Sequence, residues 1–202
     1  MPGLFITLEG GDGSGKSTQS ELLVQWLQGQ GRTVVVSREP GGTELGQELR
    51  DIVLHRRGEI APRAEALIYA ADRAHNIATK VRPALERGEV VVQDRYLDSS
   101  VAYQGAGRVL GAAEVRDVSL WATESLLPDF TILLDLHEGQ DRLADRTTYD
   151  RLEAAGEEFH ARVREAYLEL AAAEPQRFLV LDARDSVDAI AEAIRARVSS
   201  LI

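Results

Sequence analysis

The sequence predicts an α/β fold, with a five-stranded parallel sheet covered by helices on both faces. Five apolar runs rich in β-branched residues recur along the chain, and segments with helical spacing of apolar residues lie between them. Continuous apolar strands that alternate with helices are typical of a parallel sheet buried on both sides. A glycine-rich segment directly after the first run predicts a tight turn from a strand into a helix.

The predicted elements follow from the period of the apolar residues. The strands are expected at Leu4 to Leu8, Thr33 to Ser37, Val90 to Gln93, Phe130 to Leu136 and Arg177 to Leu181. Three helices are clearest. The first ends near Gly29, the second runs from about Leu67 through Val81 to Leu85 before Gly88, and the third begins after Ser186. Trp26 and Trp121 are expected to be apolar anchors on their helices.

Composition limits the classes of protein to which the chain can belong. Its 202 residues are expected to form one domain, 1–202, without a signal peptide or the roughly 20-residue apolar stretch that spans a membrane. The absence of cysteine excludes disulfides and thiolate metal sites, and a cytoplasmic location is predicted. A net charge of −10 argues against duplex DNA as a partner, because non-specific binding to DNA uses many basic side chains.

The glycine-rich turn matches the pattern G-x-x-x-x-G-K-[S/T] of a phosphate-binding loop for nucleoside triphosphates. The predicted loop comprises Gly10, Gly11, Asp12, Gly13, Ser14, Gly15, Lys16, Ser17 and Thr18. Its backbone N–H groups would converge on phosphate oxygens of ATP, and Lys16 would reach the β and γ phosphates. The Ser17 hydroxyl is placed to bind Mg²⁺. A purely structural glycine turn is the alternative.

Ligands of open parallel sheets bind beyond the carboxyl ends of the strands, which makes the next residues candidates. Arg38 and Glu39 begin a Pro-Gly-Gly turn after the second strand, which is also compatible with an ordinary loop. Asp94 ends the third strand, where a phosphate-loop enzyme places a carboxylate that holds Mg²⁺. Arg95 follows it and is predicted to neutralise a second phosphate, although Asp94 and Arg95 could instead form a structural ion pair.

Two further groups of polar residues have helical spacing. Ser100 and Gln104 lie one helical turn apart with Tyr103 alongside, which suits recognition of a base edge and a sugar but also suits a helix cap. Tyr69 and Arg73 share a face of the preceding long helix and could stack on a base and donate to its carbonyl. A partly buried tyrosine beside an arginine that extends to solvent is the alternative.

A polar stretch after the fourth strand is predicted to be a mobile lid over the triphosphate, approximately residues 138–152. It contains Arg142, Arg146 and Arg151, and few apolar residues would anchor it. Aspartates within it also permit a solvated charged face. None of the variable loop positions, Gly11 to Ser14, is basic, so these arginines are the nearby source of further positive charge for phosphoryl transfer.

The chain resembles the bacterial thymidylate kinase family over nearly its whole length. The motifs that carry the resemblance are LEGGDGSGKST at 8–18, REPGGT at 38–43, ADRAHN at 71–76, DRYLDSSVAYQG at 94–105 and YDRLE at 149–153. The resemblance implies a phosphate-loop nucleotide kinase fold, transfer of the ATP γ-phosphoryl group to dTMP with Mg²⁺, and a homodimer. An apolar helix face around Leu67 and Ile68 could supply the dimer contact.

The resemblance also implies roles for individual residues. Tyr69 would stack on thymine, Arg73 would donate to its carbonyl, and Ser100 and Gln104 would face its other polar edge. Tyr103 would pack against the deoxyribose, and Asp12 would meet the sugar 3′-hydroxyl. Arg95, with Arg38 and Arg50 nearby, would hold the acceptor phosphate, and Glu39 is counted among the substrate-binding residues. Arg142, Arg146 or Arg151 would supply the catalytic lid arginine, as in the family's lid-arginine subclass, with Arg142 and Arg146 as the leading candidates.

Two other functions stay open from the sequence. Another nucleoside monophosphate kinase or a deoxynucleoside kinase would use the same phosphate loop. A phosphate-loop switch such as a GTPase is less compatible, because guanine recognition there uses an Asn-Lys-x-Asp loop. The only asparagine of this chain is Asn76, and isoleucine follows it.

Overall fold

Five parallel strands form the centre of the computed structural model, which describes residues 3–55, 58–107, 110–136 and 156–202. The strands are β1 (Leu4–Gly10), β2 (Val34–Arg38), β3 (Val90–Asp94), β4 (Phe130–Asp135) and β5 (Phe178–Asp182). Their order in the sheet is β2-β3-β1-β4-β5, and each neighbouring pair is parallel. The predicted sheet is confirmed. The predicted lid, with Arg142, Arg146 and Arg151, lies outside the described residues.

Eight α-helices are described, and three π-helical segments continue or join them. The helices are α1 (Lys16–Gly29), α2 (Glu44–Arg50), α3 (Pro62–Asn76), α4 (Arg82–Glu86), α5 (Leu97–Ser100), α6 (Ala112–Ala122), α7 (Glu157–Ala173) and α8 (Val187–Val198). The π-helical segments are Asp51–His55, Ile77–Val81 and Val101–Ala106. The helix expected to end before Gly88 is therefore α3 and α4 joined through a π-helical turn.

Alternation along β1 divides the core between the two faces of the sheet. Leu4, Ile6 and Leu8 pack with apolar residues of α1 and α8, whereas Phe5 packs with Val91 and residues of the α3–α4 segment on the opposite face. Side chains of a strand point alternately to either side, so a continuous apolar run is buried on both faces. Because β1 and β3 are parallel neighbours, their carboxyl ends lie side by side, with Leu8 opposite Asp94.

The two tryptophans differ from each other in their surroundings. Trp26 packs against the core, as its spacing on α1 predicts. The prediction for Trp121 is wrong, because this side chain on α6 is 83% exposed. A single tryptophan on a helix does not specify which face is buried, since that depends on where the neighbouring elements lie. None of the described helices is long and apolar enough to cross a membrane.

Candidate active site

The loop between β1 and α1 forms the cradle that its sequence pattern predicts. Gly13 and Gly15 adopt positive φ angles of 74° and 97°, which glycine reaches without a steric penalty. A Cβ on Gly10 would lie 2.4 Å from the Leu134 carbonyl oxygen, so a larger residue does not fit there. Helix α1 begins at Lys16, and its N-terminal dipole adds positive potential at the loop.

Lys16 is buried in this cradle and donates to the carbonyl oxygens of Gly10 and Gly11, at 3.0 and 2.7 Å. Burial lowers the pKa of Lys16 to about 8, and the positive charge of Arg95 adds to the shift, while Asp94 and Asp12 oppose it. An ammonium group with few solvating partners gains more from a nearby anion than one in water. The loop therefore presents a desolvated cation to a ligand.

The end of β3 carries a carboxylate suited to a hard metal ion. Asp94 Oδ1 is buried and has no hydrogen-bond partner in the described part of the chain, while Ser17 at the start of α1 is exposed. Among those residues, no group of three or more His, Cys, Asp or Glu side chains could hold a metal. Mg²⁺ commonly keeps several waters and uses one or two protein oxygens, so Ser17 and Asp94 fit its needs.

Arg95 connects the end of β3 with the phosphate loop. Its guanidinium lies 2.6 Å from the carboxylate of Asp12 and 5.1 Å from the centre of the Tyr103 ring. Burial opposes ionisation of Asp12, but Arg95 and Lys16 outweigh it and hold the pKa of Asp12 below its usual value. Arg95 therefore pairs with Asp12 of the loop. It does not form the alternative ion pair with Asp94.

Arg95 also has an unusual backbone conformation, with φ at 65°. This left-handed region is uncommon for residues other than glycine, and such outliers are frequent at functional sites. The Arg95 N–H donates to the Leu8 carbonyl oxygen at 2.9 Å, which ties the residue to β1. The strained backbone aims the side chain towards the phosphate loop.

A buried carboxylate that the sequence analysis missed supports this arginine. Glu9 accepts hydrogen bonds from Tyr96 N at 2.8 Å, Ser99 Oγ at 2.5 Å and Tyr167 Oη at 3.0 Å. Arg95 Nη1 donates in turn to Ser99 Oγ and Tyr167 Oη, at 3.3 and 3.4 Å. Burial raises the pKa of Glu9 to about 7, with Asp98 adding to the shift. Glu9 therefore holds the two hydroxyls that orient Arg95.

The residues predicted to recognise a base come together beside Arg95. Tyr69 and Arg73 of α3, Ser100 of α5, and Tyr103 and Gln104 of the following π-helical segment are all buried. Tyr69 and Tyr103 belong to the same apolar cluster. Arg73 is 1% exposed, so its guanidinium is enclosed rather than extended to solvent. The alternative in which Arg73 extends to solvent is therefore wrong.

Arg73 is the centre of a polar network that joins four segments. It donates to Glu39 Oε2 at 2.7 Å, Ser119 Oγ at 3.0 Å, the Tyr96 carbonyl oxygen at 3.2 Å and Ser100 Oγ at 3.0 Å. A guanidinium has five N–H donors, so one N–H of Nη1 has no partner in the residues described here. Arg73 therefore holds these segments together and keeps one N–H of Nη1 without a partner among the described residues.

Glu39 is the buried counterion of Arg73. Its Oε1 accepts from Asn76 Nδ2 at 3.1 Å and from Gln93 Nε2 at 3.0 Å. Burial raises the pKa of Glu39 to about 7, while Arg73 and the hydrogen bonds oppose the shift. Glu39 is thus a member of the site, but its contacts are to protein groups that shape the pocket.

Arg38 is the last residue of β2 and Arg50 the last residue of α2, and both side chains contact the turn between these elements. Arg38 Nη2 donates to Gln47 Oε1 at 3.0 Å, and Arg50 Nη1 donates to the Pro40 carbonyl oxygen at 2.9 Å. Asp72 of α3 holds the same turn by accepting from Gly41 N at 3.1 Å, and burial raises its pKa to about 6. Because Arg38 lies opposite Asp94 in the sheet register, this turn borders the end of β3.

Polar residues of the site region that sequence reasoning missed include Glu9, Glu65, Asp72 and Tyr167. Glu9 had a usable signal, because it directly continues the apolar run Leu4 to Leu8, which predicts a strand buried on both faces. Glu65 also had one, since it lies one helical turn before Tyr69 on the same face. Tyr167 had none, because its contact with Glu9 joins residues 158 positions apart.

The fold and the site define a class of enzyme. A parallel sheet of order 2-3-1-4-5, a phosphate loop after β1 and a carboxylate at the end of the adjacent β3 are features of phosphate-loop nucleotide kinases. The family model described as thymidylate kinase matches residues 8–194. The chain belongs to the thymidylate kinase family, and it is therefore a nucleoside monophosphate kinase, a phosphotransferase.

Relatives match along the whole chain. A thymidylate kinase of Leifsonia xyli subsp. xyli is 72% identical over all of this chain and 97% of its own length. One from Bifidobacterium longum is 54% identical over the full length of both proteins. The crystal structure of thymidylate kinase from Ehrlichia chaffeensis superposes with a TM-score of 0.83 at 28% identity, covering 98% of this chain and all of that one.

Proposed function

We propose that the chain transfers the γ-phosphoryl group of ATP to dTMP in the site formed by the phosphate loop, the end of β3 and the pocket between α3 and α5. The observation that carries this proposal is the 2.6 Å contact between Arg95 and Asp12. It joins the cradle for the donor triphosphate to the segment that leads into the base pocket. Donor and acceptor phosphates would therefore meet at one place, as in-line transfer requires.

The reaction needs positioning and charge stabilisation rather than a protein nucleophile. An oxygen of the dTMP phosphate forms a bond to the γ-phosphorus while the bond from that phosphorus to the bridging oxygen of ADP breaks. The acceptor oxygen is already ionised at neutral pH, so no general base is required. Lys16 binds the β and γ phosphates, and Arg95 orients the acceptor with Arg38 and Arg50 nearby. Arg142, Arg146 or Arg151 of the predicted lid would add charge at the γ-phosphoryl group.

The pocket beyond Arg95 would bind the nucleoside part of dTMP. Tyr69 stacks on the base, Arg73 donates its free N–H to a carbonyl oxygen, and Ser100 and Gln104 contact the other polar edge. Tyr103 packs against the deoxyribose, where a ribose would carry a further hydroxyl, and Asp12 meets the 3′-hydroxyl. The burial of these polar groups supports the assignment, because a ligand that left them unpaired would bind poorly.

Mg²⁺ is the metal that we propose for the phosphate loop, with the Ser17 hydroxyl and the Asp94 carboxylate as its protein ligands. The buried, unpartnered Oδ1 of Asp94 supports this assignment. When bound, the ion would neutralise charge on the transferring phosphates. A location in the cytoplasm, one domain over 1–202 and the lid at about 138–152 stay predictions.

An acceptor panel tests the proposed reaction. With Mg·ATP as the donor, we expect dTMP to be clearly preferred over UMP, GMP and thymidine when kcat/KM is measured by ADP release. Thymidine is the informative control, because it has the same base and sugar but no acceptor phosphate for Arg95. Preference for thymidine would identify a deoxynucleoside kinase, and equal use of GMP would contradict the assignment of the base pocket.

We further propose that two copies of the chain form a homodimer through α3 and α6. Leu67 of α3 is 59% exposed and Trp121 of α6 is 83% exposed, although these helices pack against each other. Large apolar side chains on one surface of a protein are frequent at contacts between subunits. A second copy that covered them would remove this apolar area from water.

Light scattering at micromolar concentration tests the dimer. We expect a mass of two chains for the unchanged protein and of one chain for the double variant Leu67→Lys and Trp121→Lys, because two desolvated charges oppose association. Leu201→Lys, at an exposed apolar residue near the C-terminus, is the matched control and should leave the dimer intact. A monomeric unchanged protein would contradict the proposal.

A further inference from the structure

A second buried pair of residues joins the two sides of the proposed base pocket. Gln104 Nε2 donates to Glu65 Oε1 at 3.1 Å, and the two residues are 2% and 1% exposed. Glu65 lies on α3 one turn before Tyr69 and two turns before Arg73, so all three share one face of the helix. The contact between Arg73 and Ser100 likewise joins α3 to the segment after β3.

The chemistry of the pair fixes the orientation of the Gln104 amide. Glu65 Oε1 accepts this hydrogen bond, so the amide nitrogen of Gln104 faces Glu65. The amide oxygen then points away from Glu65, and it accepts no hydrogen bond from the residues that the structure describes. Gln104 therefore offers an acceptor to the pocket rather than a donor.

An acceptor at this place distinguishes between pyrimidine bases. Thymine and uracil carry an N–H donor at N3 beside a carbonyl oxygen at position 4. Cytosine carries a lone pair at N3 beside an amino group. The oxygen of Gln104 matches the N3–H of the first two and repels the lone pair of cytosine. The free N–H of Arg73 likewise matches a carbonyl oxygen and opposes an amino group.

We propose that Glu65 is a positioning residue that sets the preference of this kinase for 4-oxo pyrimidines over 4-amino pyrimidines, by fixing the amide of Gln104. The proposal rests on the assignment of Gln104 to the base pocket under the proposed function. Glu65 itself does not contact the base. Its proposed effect on specificity acts through the side chain of Gln104.

The variant Glu65→Gln tests this directly. A glutamine at position 65 both donates and accepts, so the Gln104 amide is free to rotate by half a turn. We expect the ratio of kcat/KM for dTMP over dCMP to fall about tenfold, as one fixed hydrogen bond is lost. The ratio of dTMP over dUMP should stay unchanged, because both bases present the same edge. Glu114→Gln makes the same chemical change at an exposed carboxylate of α6 and should move neither ratio.

A double-mutant cycle separates positioning from a general structural effect. Gln104→Met should lower the ratio of dTMP over dCMP by itself, and adding Glu65→Gln should then change it no further. Gln104→Met also tests the pocket if Glu65→Gln does not fold, because an unchanged ratio in that variant would overturn the inference. So would an unchanged ratio in folded Glu65→Gln, or an equal further loss in the Gln104→Met background.

The two proposals fail in different ways. If the unchanged protein does not prefer dTMP over dCMP, the proposed base pocket is wrong. If that preference is present and Glu65→Gln keeps it, the pocket stands and only the role of Glu65 is overturned.

Discussion

Replacing Lys16 with methionine is expected to lower kcat for phosphorylation of dTMP by about 10²–10³-fold or more. Methionine keeps most of the volume of the lysine stem but removes the charge that would stabilise the β and γ phosphates. The fold should survive, because Lys16 Nζ donates only to two carbonyl oxygens of the loop among the described residues. Steady-state kinetics at saturating ATP and dTMP, with circular dichroism for the fold, give the measurement.

The chain offers a matched control for this change, since it has one other lysine, Lys80. Lys80 Nζ donates to the Gly42 carbonyl oxygen at 3.0 Å, in the turn after β2 and outside the phosphate loop. Lys80→Met should therefore have a much smaller effect on kcat than Lys16→Met. A Lys16→Met enzyme that kept more than about a tenth of kcat would contradict the role of Lys16 in charge stabilisation.

Arg73→Ala is expected to lower the free energy of unfolding by about 3–5 kcal/mol, in addition to weakening the binding of dTMP. The reason is that the alanine leaves Glu39 buried without its counterion, since this ion pair has side chains only 2% exposed on both partners. Chemical denaturation at pH 8 measures the loss. Arg63→Ala, on the same helix but in an exposed pair with Glu114, should cost less than about 1 kcal/mol.

The stability loss of Arg73→Ala should depend on pH in a defined direction. Burial already raises the pKa of Glu39 to about 7, and removing Arg73 removes a charge that lowers it. Protonated Glu39 needs no counterion, so the loss should be smaller at pH 5 and should increase as the pH rises through 7. Glu39→Gln combined with Arg73→Ala should recover part of the loss at pH 8. A loss that is the same at pH 5 and pH 8 would show that the charge of Glu39 is not its cause.

The stability expectation also changes how a variant of Arg73 should be interpreted. The resemblance implies that Arg73 donates to the base, so its removal is expected from the sequence to affect mainly the binding of the acceptor. The structure adds its bonds to Glu39, Ser119 and the Tyr96 carbonyl oxygen. Kinetic effects of Arg73→Ala therefore need to be measured under conditions where the variant is folded.

Local sequence patterns determined the class of fold and the positions of the candidate site residues along the chain. Apolar runs predicted the five strands to within two residues at each end, because strands buried on both faces require continuous apolar sequence. The spacing of glycines before Lys16 predicted the phosphate loop, since its geometry is encoded within eight residues. Asp94 was predicted from its place at the end of a strand.

The tertiary structure alone decided which polar groups work together. The pairing of Arg95 with Asp12 spans 83 positions, and the contact of Gln104 with Glu65 spans 39. The exposed face of Trp121 likewise depended on where α6 packs. Helical and strand periods report contacts within an element, but buried carboxylates such as Glu9, Glu39 and Glu65 find their partners only when separate elements pack. The sequence by itself determined the fold class and the backbone pattern of the phosphate loop, and the packing of α3 against the segment after β3 decided the shape and orientation of the proposed base pocket.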